Sequence, residues 1–197
     1  MELIGLKDLE YVKTRWEGGT STQLLILPVN ASYAQRNFQI RISKATIKGG
    51  ESNFTLLPGI KRNLVLLEGA VLLSLKGKGK RLMLPGDEMN FSGNQEISSL
   101  GKATDFNVMM QGKGRASTQL LNLAKEESVS VDMSTAGQLV FFHVHMGSVK
   151  IKVGTKTILL GSNQSFYIPK FTAQTAIELY ANKASTIVLA EVLMELS

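Results

Sequence analysis

The sequence contains no cysteine and only two histidines among its 197 residues. The absence of cysteine excludes a disulfide framework, a thiolate zinc site and a cysteine nucleophile. The longest apolar stretches, such as residues 64–67, are too short to span a bilayer, and residues 1–10 lack the apolar core of a signal peptide. We therefore expect a cytoplasmic protein with no membrane partner.

Positive charge is in modest excess and is not concentrated. The chain has 22 Lys and Arg against 16 Asp and Glu, a net charge of +6. The densest basic run, residues 76–81, alternates with glycine, which is typical of a solvated hairpin tip. No aromatic-basic face or zinc-finger spacing accompanies the charge, so we do not expect a nucleic-acid partner.

Short apolar segments bounded by Gly, Pro, Asn or Ser dominate the chain and predict β-strands. They include residues 24–29, 38–47, 64–75 and 81–84. Within residues 38–43, apolar and polar side chains alternate with a period of two, so Arg41 and Ser43 share the polar face of one strand. Such a strand in a barrel turns its polar face toward the lumen. The expected class is all-β with little helix, apart from a turn of helix over residues 117–124.

An internal repeat indicates two similar halves. Residues 64–77 align with 142–154, and residues 82–91 align with 157–166 after a register change of three residues in the hairpin between them. The alignment matches Gly69 with Gly147, Val71 with Val149, Gly86 with Gly161, and Phe91 with Phe166. Each repeat has the character of a cupin core, a small antiparallel barrel of the jelly-roll type. We therefore expect a bicupin, with one cupin-like half over residues 1–112 and the other over residues 113–197.

The two histidines, His143 and His145, form a His-x-His pair of the kind that opens the metal motif of cupins. Val149 stands where a carboxylate ligand is expected, and the sequence has no third histidine. Since metal centres usually need three or more protein ligands, we expect neither a metal nor another cofactor. No nucleophile elbow or Walker motif occurs either.

Four segments combine polar residues with turn or strand signals: residues 14–23, 38–45, 54–62 and 105–109. These segments resemble those of the HutD/Ves family. The similar motifs are a Trp–Gly-Gly–Thr segment, an Arg-Ile-Ser strand, a Pro-Gly turn followed by Arg, and an Asp-Phe-Asn-x-Met strand, in family order. The resemblance implies a bicupin fold without the metal triad. It also implies a link to histidine utilisation, with a regulatory, ligand-sensing role, or to stress responses in the Ves branch.

These segments supply the candidate ligand-binding residues. Arg41 and Arg62 are expected to hold a small carboxylate, because the planar guanidinium matches a carboxylate in a bidentate manner. Thr20, Thr22, Ser43 and Asn107 would supply neutral hydrogen bonds, and Gly18 and Gly19 would allow close backbone approach. Asp105 would instead orient an arginine, and Trp16 completes the set of candidates.

Two alternatives to simple ligand binding, and the question of oligomeric state, remain open. Asp105 and an arginine can form a buried structural pair with no ligand. A metal-free enzyme acting on a small acid would need Asp105 or Glu17 as its acid–base group. Exposed barrel edges also leave a homodimer open as a generic expectation.

Overall fold

The computed structural model describes residues 2–6, 11–133, 139–171 and 176–194. These residues form β-strands, turns and loops, and no helix occurs among them. Neighbouring strands pair in the antiparallel sense, so the expected all-β class is confirmed. The strands are β1 Ile4–Leu6, β2 Val12–Trp16, β3 Gly19–Leu27, β4 Ile40–Asn53, β5 Ile60–Leu75, β6 Gly79–Met83, β7 Glu88–Ser92, β8 Ile97–Gln111, β9 Gly114–Leu123, β10 Ser128–Val131, β11 Leu139–Met146, β12 Ser148–Val153, β13 Lys156–Gly161, β14 Ser165–Ile168, β15 Ile177–Ala181 and β16 Ser185–Met194.

The turn of helix expected at residues 117–124 is wrong, because β9 occupies most of this stretch. Ala116 and Thr118 are buried whereas Ser117 between them is exposed, which is the period-two pattern of a strand. Within the described residues, no helix is long and apolar enough to cross a membrane.

The chain divides into two compact units. The first unit comprises Tyr11–Thr118, and the second combines Met1–Glu10 with Gln119–Ser197. The division falls inside β9.

The first unit is built on three long strands, β4, β8 and β5, in a sheet of order β2-β3-β4-β8-β5-β6, with β7 paired to β5. The register of β5 on β8 shifts between Leu66 and Glu68. Such a bulge bends a strand and increases its local twist. Gly69 follows the bulge with φ +80°, and a Cβ there would lie 2.1 Å from the carbonyl oxygen of Lys102. Glycine is therefore required where β5 and β8 approach closely.

The second unit has one sheet of order β1-β14-β11-β16-β9 and another of order β10-β15-β12-β13. Its interior is packed with apolar side chains. Phe142 and Phe166 stack with ring centroids 5.0 Å apart. Around them lie Val140, Ile187 and Leu189, all at most 2% exposed. The apolar strand faces recognised in the sequence thus form a filled core here.

The predicted repeat recurs as a shared pattern of strand pairing. β5 pairs with β7 before its bulge and with β6 after it. In the second unit, β11 and β12 together correspond to β5. β11 pairs with β14 before the bulge, and β12 pairs with β13 after it. A register shift between Val144 and Met146 matches the one between Leu66 and Glu68. The predicted match of Gly69 with Gly147 is therefore confirmed, and both glycines have positive φ.

The second part of the predicted alignment is wrong by two residues. The carbonyl of Leu66 accepts a hydrogen bond from Gly86 N, and the carbonyl of Val144 accepts one from Asn163 N. Gly86 therefore corresponds to Asn163 and not to Gly161.

The same correction applies to the aromatic pair, because Phe166 corresponds to Met89 and not to Phe91. Met89 lies opposite Leu64, just as Phe166 lies opposite Phe142. The physical reason is the length of the hairpin. It is one residue longer in the first unit than in the second, whereas the sequence alignment assumed a difference of three residues.

Candidate functional site

A cavity of about 300 Å³ lies in the first unit. Strand alternation explains how it forms. Ser43 of β4 lies opposite Asn107 of β8, and Arg41 lies opposite Met109. Arg62 of β5 lies opposite Met109 from the other side. Residues that face each other on neighbouring strands project from the same side of a sheet, so these side chains converge.

Six of the ten candidate residues line this cavity: Trp16, Arg41, Ser43, Arg62, Asp105 and Asn107. They come from β2, β4, β5 and β8, so the cavity depends on the sheet and not on one loop. The prediction that they bind a ligand remains a prediction, but the fold places them together.

The guanidinium of Arg41 is buried and held by neutral groups. Its Nε donates to Gln23 Oε1 at 3.1 Å, its Nη1 to Ser43 Oγ at 3.0 Å, and its Nη2 to Ser21 Oγ at 3.4 Å. Its Cζ lies 4.2 Å from the ring centroid of Tyr33, a cation–π distance. Burial lowers the pKa of Arg41, as it disfavours the charged form. No carboxylate of the described residues pairs with it.

Arg62 is held between two aromatic rings. Its Cζ lies 5.1 Å from the ring centroid of Phe54 and 4.8 Å from that of Phe91. Burial lowers the pKa of Arg62 to about 10, although the charge of Asp105 partly opposes this shift. Within the described part of the chain, the buried Arg62 Nε has no hydrogen-bond partner. The charge of Arg62 is thus desolvated, and the aromatic rings of Phe54 and Phe91 flank its guanidinium.

Asp105 is a buried carboxyl group beside these arginines. Burial raises its pKa to about 7, and the charge of Arg62 limits the rise. No hydrogen bond or ion pair joins Asp105 to Arg62 among the residues described. The two side chains therefore influence each other electrostatically without forming the closed structural pair that was the alternative to a ligand site.

Asn107 carries a second unsatisfied group. Its Oδ1 is buried and has no hydrogen-bond partner in the described ranges. A buried acceptor without a donor is destabilising by about 1–3 kcal/mol. A bound molecule that donates a hydrogen bond would remove this cost.

The other four candidates do not line the cavity. A Cβ at Gly18 would lie 2.2 Å from the Trp16 ring, and one at Gly19 would lie 1.7 Å from the carbonyl oxygen of Thr46. Both glycines therefore serve close packing. Thr20 and Thr22 alternate along β3 with cavity-side Ser21, so their side chains project from its other face. Their position gives no support to the expected ligand contact.

Several lining residues were not anticipated from the sequence. Ser21 lines the cavity and Gln23 holds Arg41 from the same face of β3, and the period-two rule would have identified both. Tyr33 and Phe54 also line the cavity, but they lie outside the strands. Residues in irregular segments have no periodic signal, so only the fold reveals them.

The donor set of the cavity does not fit a cupin-type metal ion. Two guanidinium groups repel a cation, and both histidines belong to the second unit. There, His143 is buried with its Nδ1 2.9 Å from Ser165 Oγ. The described residues contain no group of three or more His, Cys, Asp or Glu that could hold a metal ion.

The fold is similar to that of several solved proteins. The conserved protein of unknown function PA5104 from Pseudomonas aeruginosa PAO1 superposes with a TM-score of 0.82 at 20% identity, over 98% of this chain and 100% of that chain. HutD from Pseudomonas fluorescens SBW25 gives a TM-score of 0.69 at 21% identity, over 97% and 98%. A cupin 2 conserved barrel domain protein from Leptotrichia buccalis gives 0.50 at 14% identity, over 93% and 92%. The fold is thus cupin-like.

Sequence similarity links the chain to a protein family. No curated protein matches the chain. The family model named HutD matches residues 8–189, nearly the whole chain. This confirms the resemblance that the four polar segments predicted, and the chain belongs to the HutD family.

Proposed function

We propose that the first unit binds a small carboxylate through Arg41 and Arg62, without a metal ion. The observation that carries this proposal is that two buried guanidinium groups share one cavity and neither pairs with a carboxylate of the described residues. Removing a charge from water costs several kcal/mol unless a counter-charge is supplied. A bound anion would supply that counter-charge.

The hydrogen bonds that fix the guanidinium of Arg41 favour a planar anion such as a carboxylate. The hydroxyls of Ser21 and Ser43 hold Arg41 by hydrogen bonds at 3.4 Å and 3.0 Å. A guanidinium fixed in this way loses little further freedom when it binds the planar carboxylate. The aromatic rings of Trp16, Tyr33 and Phe54 complete an apolar wall against which the rest of the ligand can pack.

Family membership directs the choice of ligands to be screened. HutD proteins are associated with histidine utilisation, and we propose a regulatory, ligand-sensing role there. We also propose that the two units are the two barrels of a bicupin, since both share one strand-pairing pattern. Urocanate, formiminoglutamate and formylglutamate are the first compounds to screen.

A thermal-shift screen of small carboxylates tests the proposal, because a ligand that binds the folded state raises Tm by mass action. We expect Arg41→Ala and Arg62→Ala each to weaken binding by roughly 100-fold, about 2.7 kcal/mol. Arg115→Ala is the matched control, as Arg115 is exposed. Equal ligand-induced shifts of Tm in Arg41→Ala, Arg62→Ala and Arg115→Ala would contradict the proposal. So would the absence of a Tm shift with every carboxylate tested.

A second candidate function is a metal-free enzyme acting on a small acid. The pKa of Asp105, about 7, suits a general acid or base at neutral pH. Consumption of one of the screened acids, lost in Asp105→Asn but retained in Glu17→Gln, would favour the enzyme. Binding without turnover at high protein concentration would leave the sensing role.

A further inference from the structure

Asp105 lies in the same cavity as the arginines that would hold an anion. On β8 it lies opposite Ala45 of β4 and Leu66 of β5. It is 4% exposed, and what exposure it has is toward the cavity that it lines. An anion in this cavity therefore shares a poorly solvated space with a carboxyl group.

The charged and titratable groups around Asp105 come from four elements. They are Arg62 on β5, Arg41 on β4, Arg15 on β2, and Tyr33 in the segment before β4. β3 and the segment at residues 53–55 contribute Ser21, Asn53, Phe54 and Thr55, which do not titrate near neutral pH. Asp105 thus carries the one carboxyl group among the described lining residues.

Two like charges in such a space cannot both persist at low cost. When two carboxylates share a poorly solvated site, one of them retains a proton. The free protein is already near this balance, since burial brings the pKa of Asp105 to about 7 with only Arg62 opposing it. A second carboxylate beside Arg62 would neutralise that opposing charge and would also repel an ionised Asp105.

We infer that the cavity takes up its carboxylate together with one proton from solvent, which resides on the carboxyl group of Asp105. This inference rests on the function proposed above. The proton converts Asp105 from a repelling anion into a neutral carboxylic acid that can donate a hydrogen bond to the guest. Asp105 then sets the pH dependence of binding, because its carboxyl group must be neutral in the bound state.

The inference fixes the pH dependence of binding. Below about pH 7 Asp105 is already protonated in the free protein, so affinity does not change with pH. Above about pH 7 a proton must be taken up, so Kd rises about tenfold per pH unit. Between pH 6 and pH 8.5 the total rise is roughly 30-fold. Asp105→Asn, which is neutral at every pH, binds with a Kd that does not change over this range.

Acetate is a suitable probe because it stays ionised from about pH 6 to about pH 8.5. NMR of protein labelled with carbon-13 at aspartate carboxyl groups follows Asp105 directly. We expect Asp105 to titrate near pH 7 without acetate and at a higher pH with saturating acetate. Kd for wild type, Asp105→Asn and the exposed-carboxylate control Glu96→Gln is measured at both ends of the range.

The outcomes separate this inference from the proposed function. A Kd that rises with pH in wild type and Glu96→Gln, but not in Asp105→Asn, supports the inference. Acetate binding with the same Kd at both pH values, or Asp105 titrating in the ordinary aspartate range, overturns it and leaves the carboxylate site standing. Acetate that perturbs no cavity resonance at either pH overturns the proposed function, and the inference falls with it.

Discussion

The two units share a pattern of strand pairing but differ in what fills the interior. In both, a bulged strand is followed by a glycine with positive φ and pairs with a hairpin on one side. Positions that correspond through this pairing carry different residues. Arg62 corresponds to Val140, Asp105 to Ile187, and Asn107 to Leu189.

This difference distinguishes residues that the strand arrangement requires from residues that only the cavity requires. The second unit shows that Val, Ile and Leu at these positions give a closed core. The polar trio of the first unit is therefore not required by the strand arrangement. Burying it is costly for stability, and residues kept at such a cost are candidates for function.

Exchanging the arginine between the units should have the largest effect. Val140→Arg buries a guanidinium in a filled core, and we expect it to lower the free energy of unfolding by about 5 kcal/mol or to prevent folding. Removing the guanidinium at the corresponding position of the first unit, by Arg62→Met, should alter stability by less than about 1 kcal/mol or increase it. Urea unfolding measures both. If Arg62→Met is as damaging as Val140→Arg, the charge is structural and the comparison fails.

The ionisation of Asp105 should give the next largest effect. Its pKa in the folded state, about 7, exceeds the ordinary value of 3.8. The stability from this difference is fully present below about pH 4 and is lost as pH rises through about 7. The unfolding free energy of Asp105→Asn should therefore gain on that of wild type by up to roughly 4 kcal/mol between pH 4 and pH 8.

Unfolding titrations with urea at several pH values check this dependence, and Glu96→Gln is the control. Glu96 forms an exposed pair with Lys76 at 2.9 Å, so its replacement should not change the pH profile. A wild-type profile parallel to that of Asp105→Asn would show that Asp105 titrates as in water.

The smallest effect on ligand affinity should come from removing a single hydroxyl group, either on the cavity side of β4 or on the opposite face of β3. Ser43→Ala removes a hydrogen bond from the guanidinium of Arg41, and we expect acetate binding to weaken by about fivefold. Thr22→Ala lies on the other face of β3 and should change acetate affinity by less than about twofold. NMR titration measures both affinities. A larger effect of Thr22→Ala than of Ser43→Ala would indicate that Thr22 contacts the ligand, as the sequence predicted.

Local periodicity and family motifs together explain which residues of the site the sequence could predict. The period of two placed Arg41 and Ser43 on one strand face, and family motifs brought in Arg62, Asp105 and Asn107. The sequence could not show which atoms Gly18 and Gly19 approach, because these include Ser52 and the Thr46 backbone, which belong to another strand.

The repeat register failed for a related reason. Matching glycine with glycine assumed that only glycine adopts positive φ. Asn163 has φ 62° where Gly86 has φ 92°, and asparagine tolerates this conformation better than most residues. The conformation was retained between the units although the residue type was not.

The most direct test of the carboxylate site is an isotope-filtered NOE experiment with acetate. Ala45 and Met109 line the cavity and carry methyl groups, and Met109 Sδ lies 3.9 Å from Arg41 Nη1. We predict NOEs from the acetate methyl group to Ala45 and Met109, and their loss in Arg62→Met. Acetate that binds wild type without NOEs to either residue, or equally well in Arg62→Met, would contradict the account.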